Sequence, residues 1–334
     1  MEKIKVGVLG AGSFGLAISQ LLSFNSEVLL YSRNEISFQP SQSNFLQKIK
    51  FTSDPEEVTE KCRLIFPIVP SSVFRELMKN FGPHLKPYHF LIHGTKGFDV
   101  QWPDDRIITR KNVATMSEVI HQETCVTRVG CLSGPNLAVE IIAGQPTATL
   151  IGSKFKEVIE VGKKVLQSPK FHVFGSNDIL GAEVAGALKN VIAIGSGILT
   201  GKGLGKNLQA MLITRGLTEM VYFGKAFGAT NAAFFGTAGI GDLVATATSQ
   251  NSRNFTFGFL LGQGKNKEEI EKEMPELAEG VGTLQVAVGL AKFYNLKIPI
   301  IETIYKIVFE NLDADRALEY LITFPYDIDV DFLE

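Results

Sequence analysis

Lys189 is the residue of this 334-residue sequence whose surroundings are best suited to acid–base chemistry. It lies in Gly186-Ala-Leu-Lys189-Asn190-Val-Ile-Ala, and no further charge occurs until Lys202. Val184, Leu188, Val191, Gly195 and Ile198 recur at helical spacing, so the run reads as a buried or amphipathic helix. The neighbours of Lys189 one turn away are Ala185, Gly186, Ile192 and Ala193, and none is a carboxylate. Desolvating a lone ammonium is costly and lowers its pKa, which lets a lysine exchange a proton near neutral pH. The same string also suits a lysine that snorkels to solvent at the helix edge.

Other groups could work with it. Gly239-Ile-Gly-Asp242 puts a carboxylate on a tight glycine loop, able to orient a hydroxyl or the lysine. Ser249-Gln-Asn-Ser252-Arg253-Asn254 precedes the apolar stretch Phe255 to Leu261. Hydroxyl, amide and guanidinium donors at a helix N-terminus suit a phosphate, although an N-cap beside a surface arginine has the same signature. Leu277-Ala-Glu279-Gly280 sets a carboxylate before a glycine as a possible ribose or nicotinamide contact. Lys96, in Gly94-Thr-Lys96-Gly97, and the small loop Ser133-Gly134-Pro135-Asn136 each follow an expected strand, where open α/β sheets bind ligands. Arg215 and Glu219, four apart, read as a structural ion pair. Asp327, Asp329 and Asp331 lack the glycine and closing glutamate of a calcium loop and read as a solvated tail.

The elements that position these groups follow from pattern. Lys3 to Leu9 reads as a buried strand and Leu16 to Phe24 as a helix, with Gly10-Ala-Gly12-Ser13-Phe14-Gly15 between them. In that context G-x-G-x-x-G is a dinucleotide fingerprint. Gly10 makes the turn, Gly12 lets a pyrophosphate approach the backbone, and Gly15 packs the helix on the strand. The next strand, Glu27 to Tyr31, ends in Ser32-Arg33 where an NAD site usually carries an acid. Arg33 can pair with a 2′-phosphate, which favours NADP(H) and leaves NAD(H) possible. Residues 34–48 are polar and irregular. Ser53-Asp54-Pro55-Glu56 reads as a capping box for a helix to Lys61. Strands at Leu64–Val69, His89–Ile92, Val126–Leu132, Thr147–Ile151 and Phe171–Phe174 alternate with helices, which implies a parallel, doubly wound sheet. Beyond about residue 178 only helical patterns remain, at 179–200, 207–227, around 253–261, 267–273, 280–294, 299–310 and 314–322. The expected organisation is a Rossmann-type α/β domain over 1–178 and an all-α domain over 179–334.

Composition sets the bounds. A hydrophobic share of 45% with 20% charged residues fits a soluble globular protein, and a net charge of -2 gives no electrostatic case for nucleic acid or an anionic membrane. Cys62, Cys125 and Cys131 form no CxxC, which argues against a zinc site and for a reducing, cytoplasmic setting. The chain enters a strand at once, so no signal peptide is expected, and the longest uncharged run, Ala226 to Gly241, is too short and glycine-rich to span a bilayer.

Taken together these motifs resemble the bacterial NAD(P)-dependent glycerol-3-phosphate dehydrogenases. The resemblance runs over about residues 4 to 322 by eye. It is carried by the glycine fingerprint, Val69-Pro70-Ser71, Lys96-Gly97, Ser133-Gly134-Pro135, the Lys189 string, Leu212-Ile-Thr-Arg215-Gly, Gly239-Ile-Gly-Asp242-Leu, Ser252-Arg253-Asn254 and Glu279-Gly280. It implies that Lys189 is the general acid/base and that Lys96 touches both cofactor and substrate. Gly134, Asn136, Asp242, Ser252, Arg253 and Asn254 would bind glycerol 3-phosphate. Ser13, Phe14, Arg33, Ala138, Arg253, Leu277 and Glu279 would contact the cofactor beside Gly10, Gly12 and Gly15. The implied reaction is hydride transfer to dihydroxyacetone phosphate, giving the sn-glycerol 3-phosphate backbone of phospholipids, with no metal. A homodimer is compatible with it. Phe14 stands where tryptophan is commoner and Asn136 where many members carry Ser or Thr. The segment after Arg33 is short and lacks the usual Tyr-Leu-Pro-Gly. The competing readings are another lysine-dependent hydroxyacid dehydrogenase, such as one acting on 6-phosphogluconate, and a non-catalytic NADPH sensor.

Overall fold

The computed structural model describes residues 3–33, 49–274 and 278–323. The polar segment 34–48, Leu277 and the aspartates at 327–331 lie outside the described residues. The chain divides into two compact units, Met1–Asp99 with Ala114–Ile179, and Val100–Val113 with Leu180–Glu334.

The first unit is a Rossmann-type sheet flanked by helices. Its strands are β1 (Ile4–Leu9), β2 (Ser26–Tyr31), β3 (Ile49–Thr52), β4 (Leu64–Pro67), β5 (Phe90–His93), β8 (Arg128–Ser133), β9 (Thr147–Gly152) and β10 (Phe171–Ser176). They lie in the order β10-β9-β8-β5-β4-β1-β2-β3, while β6 (Asp99–Val100) and β7 (Val113–Ala114) form a separate two-stranded ribbon. Val6 and Val8 on β1, Leu30 on β2 and Phe66 on β4 are completely buried, as expected of central strands covered on both faces.

The sheet is not parallel throughout. β9 runs antiparallel to β8, with Leu132 opposite Ile151, and β10 is parallel to β9. The connection from β8 to β9 explains the reversal. Its helix, Ala138–Ile142, has five residues and spans about 7 Å, too little to carry the chain back along a six-residue strand of about 20 Å. A full eleven-residue helix, Lys156–Leu166, returns the chain from β9 to β10, and that pair is parallel.

Several sequence-based boundaries move. The helix Pro55–Lys61 is capped by Asp54, whose carboxylate accepts from Glu56 N at 2.9 Å, rather than by Ser53 in a capping box. Val113 and Ala114 add a short strand, and the helix between β5 and β8 is Met116–Glu123, capped by Thr115 and Glu118. Strand β3 is an element the hydrophobic pattern did not disclose.

The second unit is helical. The long helices are Ile179–Gly201, Lys206–Phe227 and Glu279–Tyr294; Arg253–Gly262 and Pro299–Phe309 pack on Glu279–Tyr294, and Ala314–Thr323 packs on Pro299–Phe309. Ile179–Gly201 is long and apolar enough to cross a membrane, but 89% of that apolar window is buried inside the protein, which marks it as a core helix. Glycines let a second helix reach it. A Cβ on Gly258 would stand 1.9 Å from Ile194 O, and one on Gly197 would stand 2.1 Å from Phe255 O. The two backbones therefore approach more closely than side chains allow.

Between Phe227 and Arg253 the chain forms short elements that glycine-rich sequence concealed. Ala232–Phe235 is one helical turn, Thr237–Gly241 a π-type turn, and Asp242–Ala247 a six-residue helix. Asp242 therefore starts a helix rather than closing a loop.

Candidate active site

The candidate nucleotide site of the first unit is built largely from backbone. Gly10 has φ +117, and a Cβ there would stand 2.2 Å from Ile68 O. Only glycine avoids both the strain and the clash. A Cβ on Gly15 would stand 1.9 Å from Gly10 O, so the helix Ser13–Asn25 starts directly against the turn. Gly12 is different. Nothing lies within 4 Å of the position a Cβ would take, so the space in front of its backbone is open. That opening lies at the N-terminus of a thirteen-residue helix with no acidic residue in its first turn. A pyrophosphate fits there by the chemistry of the turn and of the helix end.

The loops around this turn bring further predicted residues together. Phe14 Cε1 would lie 3.0 Å from a Cβ on Gly94, so the aromatic ring covers the residue two before Lys96. Lys96 Nζ donates to Gly134 O at 3.2 Å, which joins the β5 and β8 loops. Asn136 Nδ2 donates to Thr149 Oγ1 at 2.8 Å. Its Oδ1 is buried with no hydrogen-bond partner among the described residues. A buried acceptor left unmatched is costly, and it suits a ligand hydroxyl. Ala138 opens the short helix after this loop. His93 is buried and stacked edge-on to Phe74 at 5.8 Å, a packed histidine. Arg33 lies at the end of β2, where its Nη1 is 3.4 Å from Glu76 Oε1 across an exposed ion pair.

A separate cluster around Lys189 lies within the helical unit and is built from buried side chains. Lys189 is 5% exposed and does not reach solvent at a helix edge. Its Nζ donates to Thr246 Oγ1 at 2.6 Å and lies 3.1 Å from Asp242 Oδ1. Thr246 Oγ1 in turn donates to Asp242 Oδ1 at 3.2 Å. Asp242 and Thr246 stand one turn apart on the same face of their helix, and both are almost fully buried. The partner that Lys189 lacks along its own helix thus comes from a helix more than fifty residues downstream. The sequence reading overlooked Thr246. Its only signal is the Asp-x-x-x-Thr spacing, which becomes visible once residues 242–247 are known to be helical.

The predicted phosphate donors sit close by. Ser252 is the N-cap of Arg253–Gly262 and accepts from Phe255 N at 3.3 Å through its side chain. Asn254 Oδ1 accepts from Gly280 N at 2.8 Å, tying this helix to the start of Glu279–Tyr294. The Cβ position of Gly280 is 2.8 Å from both Asn190 O and Asn254 Oδ1. Asn254 and Glu279–Gly280 are therefore gathered beside the residue that follows Lys189. Arg253 is exposed at the first position of its helix.

Glu219 takes a role other than the expected pair with Arg215. Its two carboxylate oxygens accept from Ile300 N at 2.7 Å and Ile301 N at 2.9 Å. These are the first N–H groups of Pro299–Phe309, whose own N-cap, Ile298, has no side-chain acceptor and whose first residue is proline. A carboxylate from another helix supplies the missing cap. Burial nonetheless raises the Glu219 pKa from 4.5 to about 8, against the lowering effect of the two backbone donors.

The sequence comparisons settle which family carries this arrangement. The N-terminal domain of NAD-dependent glycerol-3-phosphate dehydrogenase matches residues 5–159, and its C-terminal domain matches residues 178–319. The chain belongs to that family. The glycerol-3-phosphate dehydrogenase (NAD(P)+) of Carboxydothermus hydrogenoformans is 36% identical over 97% of this chain and 97% of its own. The enzyme of the same name from Saccharophagus degradans is 34% identical over 99% of this chain and 93% of its own. Among solved structures, the glycerol-3-phosphate dehydrogenase of Coxiella burnetii superposes with a TM-score of 0.84 at 30% identity, covering 96% of this chain and 99% of that one. The family therefore accounts for the Rossmann-type first unit, the helical second unit and an NAD(P)-dependent dehydrogenase chemistry acting on a small molecule.

Proposed function

We propose that this chain reduces dihydroxyacetone phosphate to sn-glycerol 3-phosphate, using NADPH in preference to NADH, and so supplies the glycerol backbone of phospholipids. The observation that carries this reading is the buried Lys189 ammonium, held by Thr246 and Asp242 in a family of NAD(P)-dependent dehydrogenases. A bound reduced nicotinamide would supply the hydride to the C2 carbonyl carbon. The carbonyl electron pair moves to oxygen as the hydride arrives. Lys189 Nζ gives that oxygen a proton, becomes a neutral amine, and recovers a proton from solvent. A carboxylate at 3.1 Å holds the ammonium and orients the donated proton.

The remaining roles follow from chemistry. Arg253 and the first turn of Arg253–Gly262 bind the substrate phosphate, with Ser252 and Asn254 shaping that turn. Lys96 brings positive charge to substrate and cofactor, and the unmatched Asn136 Oδ1 accepts from a hydroxyl. Gly10, Gly12, Ser13, Phe14 and Gly15 cradle the pyrophosphate, with Ala138 and Glu279 as further cofactor contacts. Residues 1–178 form the nucleotide-binding domain and 179–334 the helical domain that carries Lys189, each lending a few contacts to the other ligand. Arg33 carries the preference for NADPH. Its present partner Glu76 is exposed, so the pair is weak and a phosphate dianion displaces it readily. Cys62, Cys125 and Cys131 are free thiols, in keeping with work in a reducing cytoplasm.

Nicotinamide absorbance followed with purified protein, NADPH and dihydroxyacetone phosphate tests the reading. Oxidation that depends on the ketone phosphate, faster with NADPH than with NADH, supports it. Binding of NADPH without consumption points to a sensor and overturns it.

A further inference from the structure

A second polar cluster lies on the same face of the Lys189 helix, two turns further on. Ser196 is seven residues beyond Lys189, which returns it to the same side. Ser196 is fully buried and Gln209, on Lys206–Phe227, is 3% exposed. Ser196 Oγ donates to Ala247 O at 2.6 Å. Gln209 Nε2 donates to Ser196 Oγ at 2.7 Å and to Ala247 O at 3.2 Å. Gln209 Oε1 accepts from Lys206 Nζ at 2.8 Å, which orients the amide with its two N–H groups inward. Both amide hydrogens and the serine hydroxyl are thereby used, and the three groups close a ring around one carbonyl.

That carbonyl belongs to the last residue of Asp242–Ala247. At a helix C-terminus it has no acceptor role inside the helix and needs outside donors. The helix has six residues and is too short to hold its conformation alone. It nevertheless carries both partners of Lys189, with Thr246 adjacent to Ala247 and Asp242 one turn earlier. Lys189 and Ser196 therefore grip one short helix from one long helix, and Gln209 grips it from a third.

We infer that Ser196 and Gln209 are positioning residues of this enzyme: by holding Ala247 they set the seat of Asp242 and Thr246 against the Lys189 ammonium. The inference rests on the acid–base role proposed for Lys189. Neither residue touches the lysine, so their effect passes through the placement of Asp242. A shift of the short helix misaligns the proton donor while the nucleotide-binding turn, in the other unit, keeps its structure.

The test is a kinetic cycle. Gln209→Met keeps the side-chain length and removes both donors. It is expected to lower kcat roughly tenfold, since small misplacements of a catalytic group are costly, with NADPH affinity unchanged. In an Asp242→Asn background, where the carboxylate that needs positioning is gone, the same substitution is expected to change kcat by no more than about twofold, as coupled sites are non-additive. Ser196→Ala, which removes a single oxygen, carries the same test should Gln209→Met fail to fold by circular dichroism. A parental kcat in these variants, or a full tenfold loss that persists in the Asp242→Asn background, overturns the inference. A parent enzyme that turns over the ketone phosphate while the variants match it overturns this inference alone. A parent with no such turnover overturns the proposed function and the inference with it.

Discussion

Two of the carboxylates buried in the helical unit, Asp242 and Glu219, keep different company. Asp242 faces an ammonium and a hydroxyl, Lys189 and Thr246, on side chains that can move a proton. Glu219 faces two backbone N–H groups that cannot give theirs up. Both are almost inaccessible, at 1% and 3% exposure, so burial does not distinguish them. The partner does. A full opposite charge compensates a buried carboxylate and couples it to chemistry. Two amide dipoles hold it in place, yet leave it with a pKa raised to about 8. The first arrangement is the one proposed to serve the reaction, and the second ties two helices together. A third carboxylate, Glu76, meets Arg33 in water and lacks the desolvation of either.

The sharpest way to break this contrast is to neutralise each carboxylate in turn. Asp242→Asn leaves the ammonium uncompensated in a buried site, and kcat is expected to fall roughly 10²-fold with NADPH binding retained. Steady-state kinetics beside a binding titration separates the two effects. A variant with parental kcat would place Asp242 with the structural carboxylates.

Arg33→Asp comes next, with a loss of NADPH affinity on the order of tenfold and little change for NADH, the scale of one charge-assisted contact. Fluorescence titration with each cofactor reads this, and equal losses would mean that Arg33 does not sense the 2′-phosphate.

Glu219→Gln keeps an acceptor for the helix N-terminus and is expected to leave kcat at the parental level. Its effect is on stability against pH. With a folded pKa of about 8 and a reference value of 4.5, the folded chain keeps a proton that the unfolded chain loses. This group's contribution is therefore full below pH 4.5, declines as pH rises toward about 8, and is level above it. Urea unfolding across that window should show a smaller decline in the variant than in the parent. Identical pH profiles would show that Glu219 is ionised in the fold. The smallest change belongs to Glu76→Gln, which frees Arg33 from a weak exposed partner and should raise NADPH affinity by no more than about threefold.

What could be read in the sequence follows from how local each feature is. Gly10, Gly12 and Gly15 announce the nucleotide turn because a six-residue string encodes the strain, the opening and the close packing together. The long helices are legible because their apolar residues repeat over many turns. The Lys189 cluster is only half legible. Lys189 looks isolated along its own helix, and Thr246 reaches it across 57 residues of chain, with Asp242 one turn nearer. Gly239 and Gly241 disguise the start of the helix that delivers them. Glu219 is misleading for the converse reason: Arg215 at i−4 suggests a local pair, while Ile300 and Ile301, some eighty residues away, hold the carboxylate. The antiparallel turn of the sheet at β9 also depends on length rather than pattern, since its preceding helix is too short to return the chain. The excursion Val100–Val113, which belongs with the helical unit, carries no compositional mark.

The central claim is that Lys189 gives the proton. Lys189→Met, which keeps the length and removes the charge, tests it most directly when NADPH binding and turnover of dihydroxyacetone phosphate are measured on the same preparation. The account predicts parental NADPH affinity with kcat lowered at least roughly 10³-fold, the upper range of general acid catalysis. A variant that binds NADPH and turns over near the parental rate would contradict it, and the proton would then come from another group.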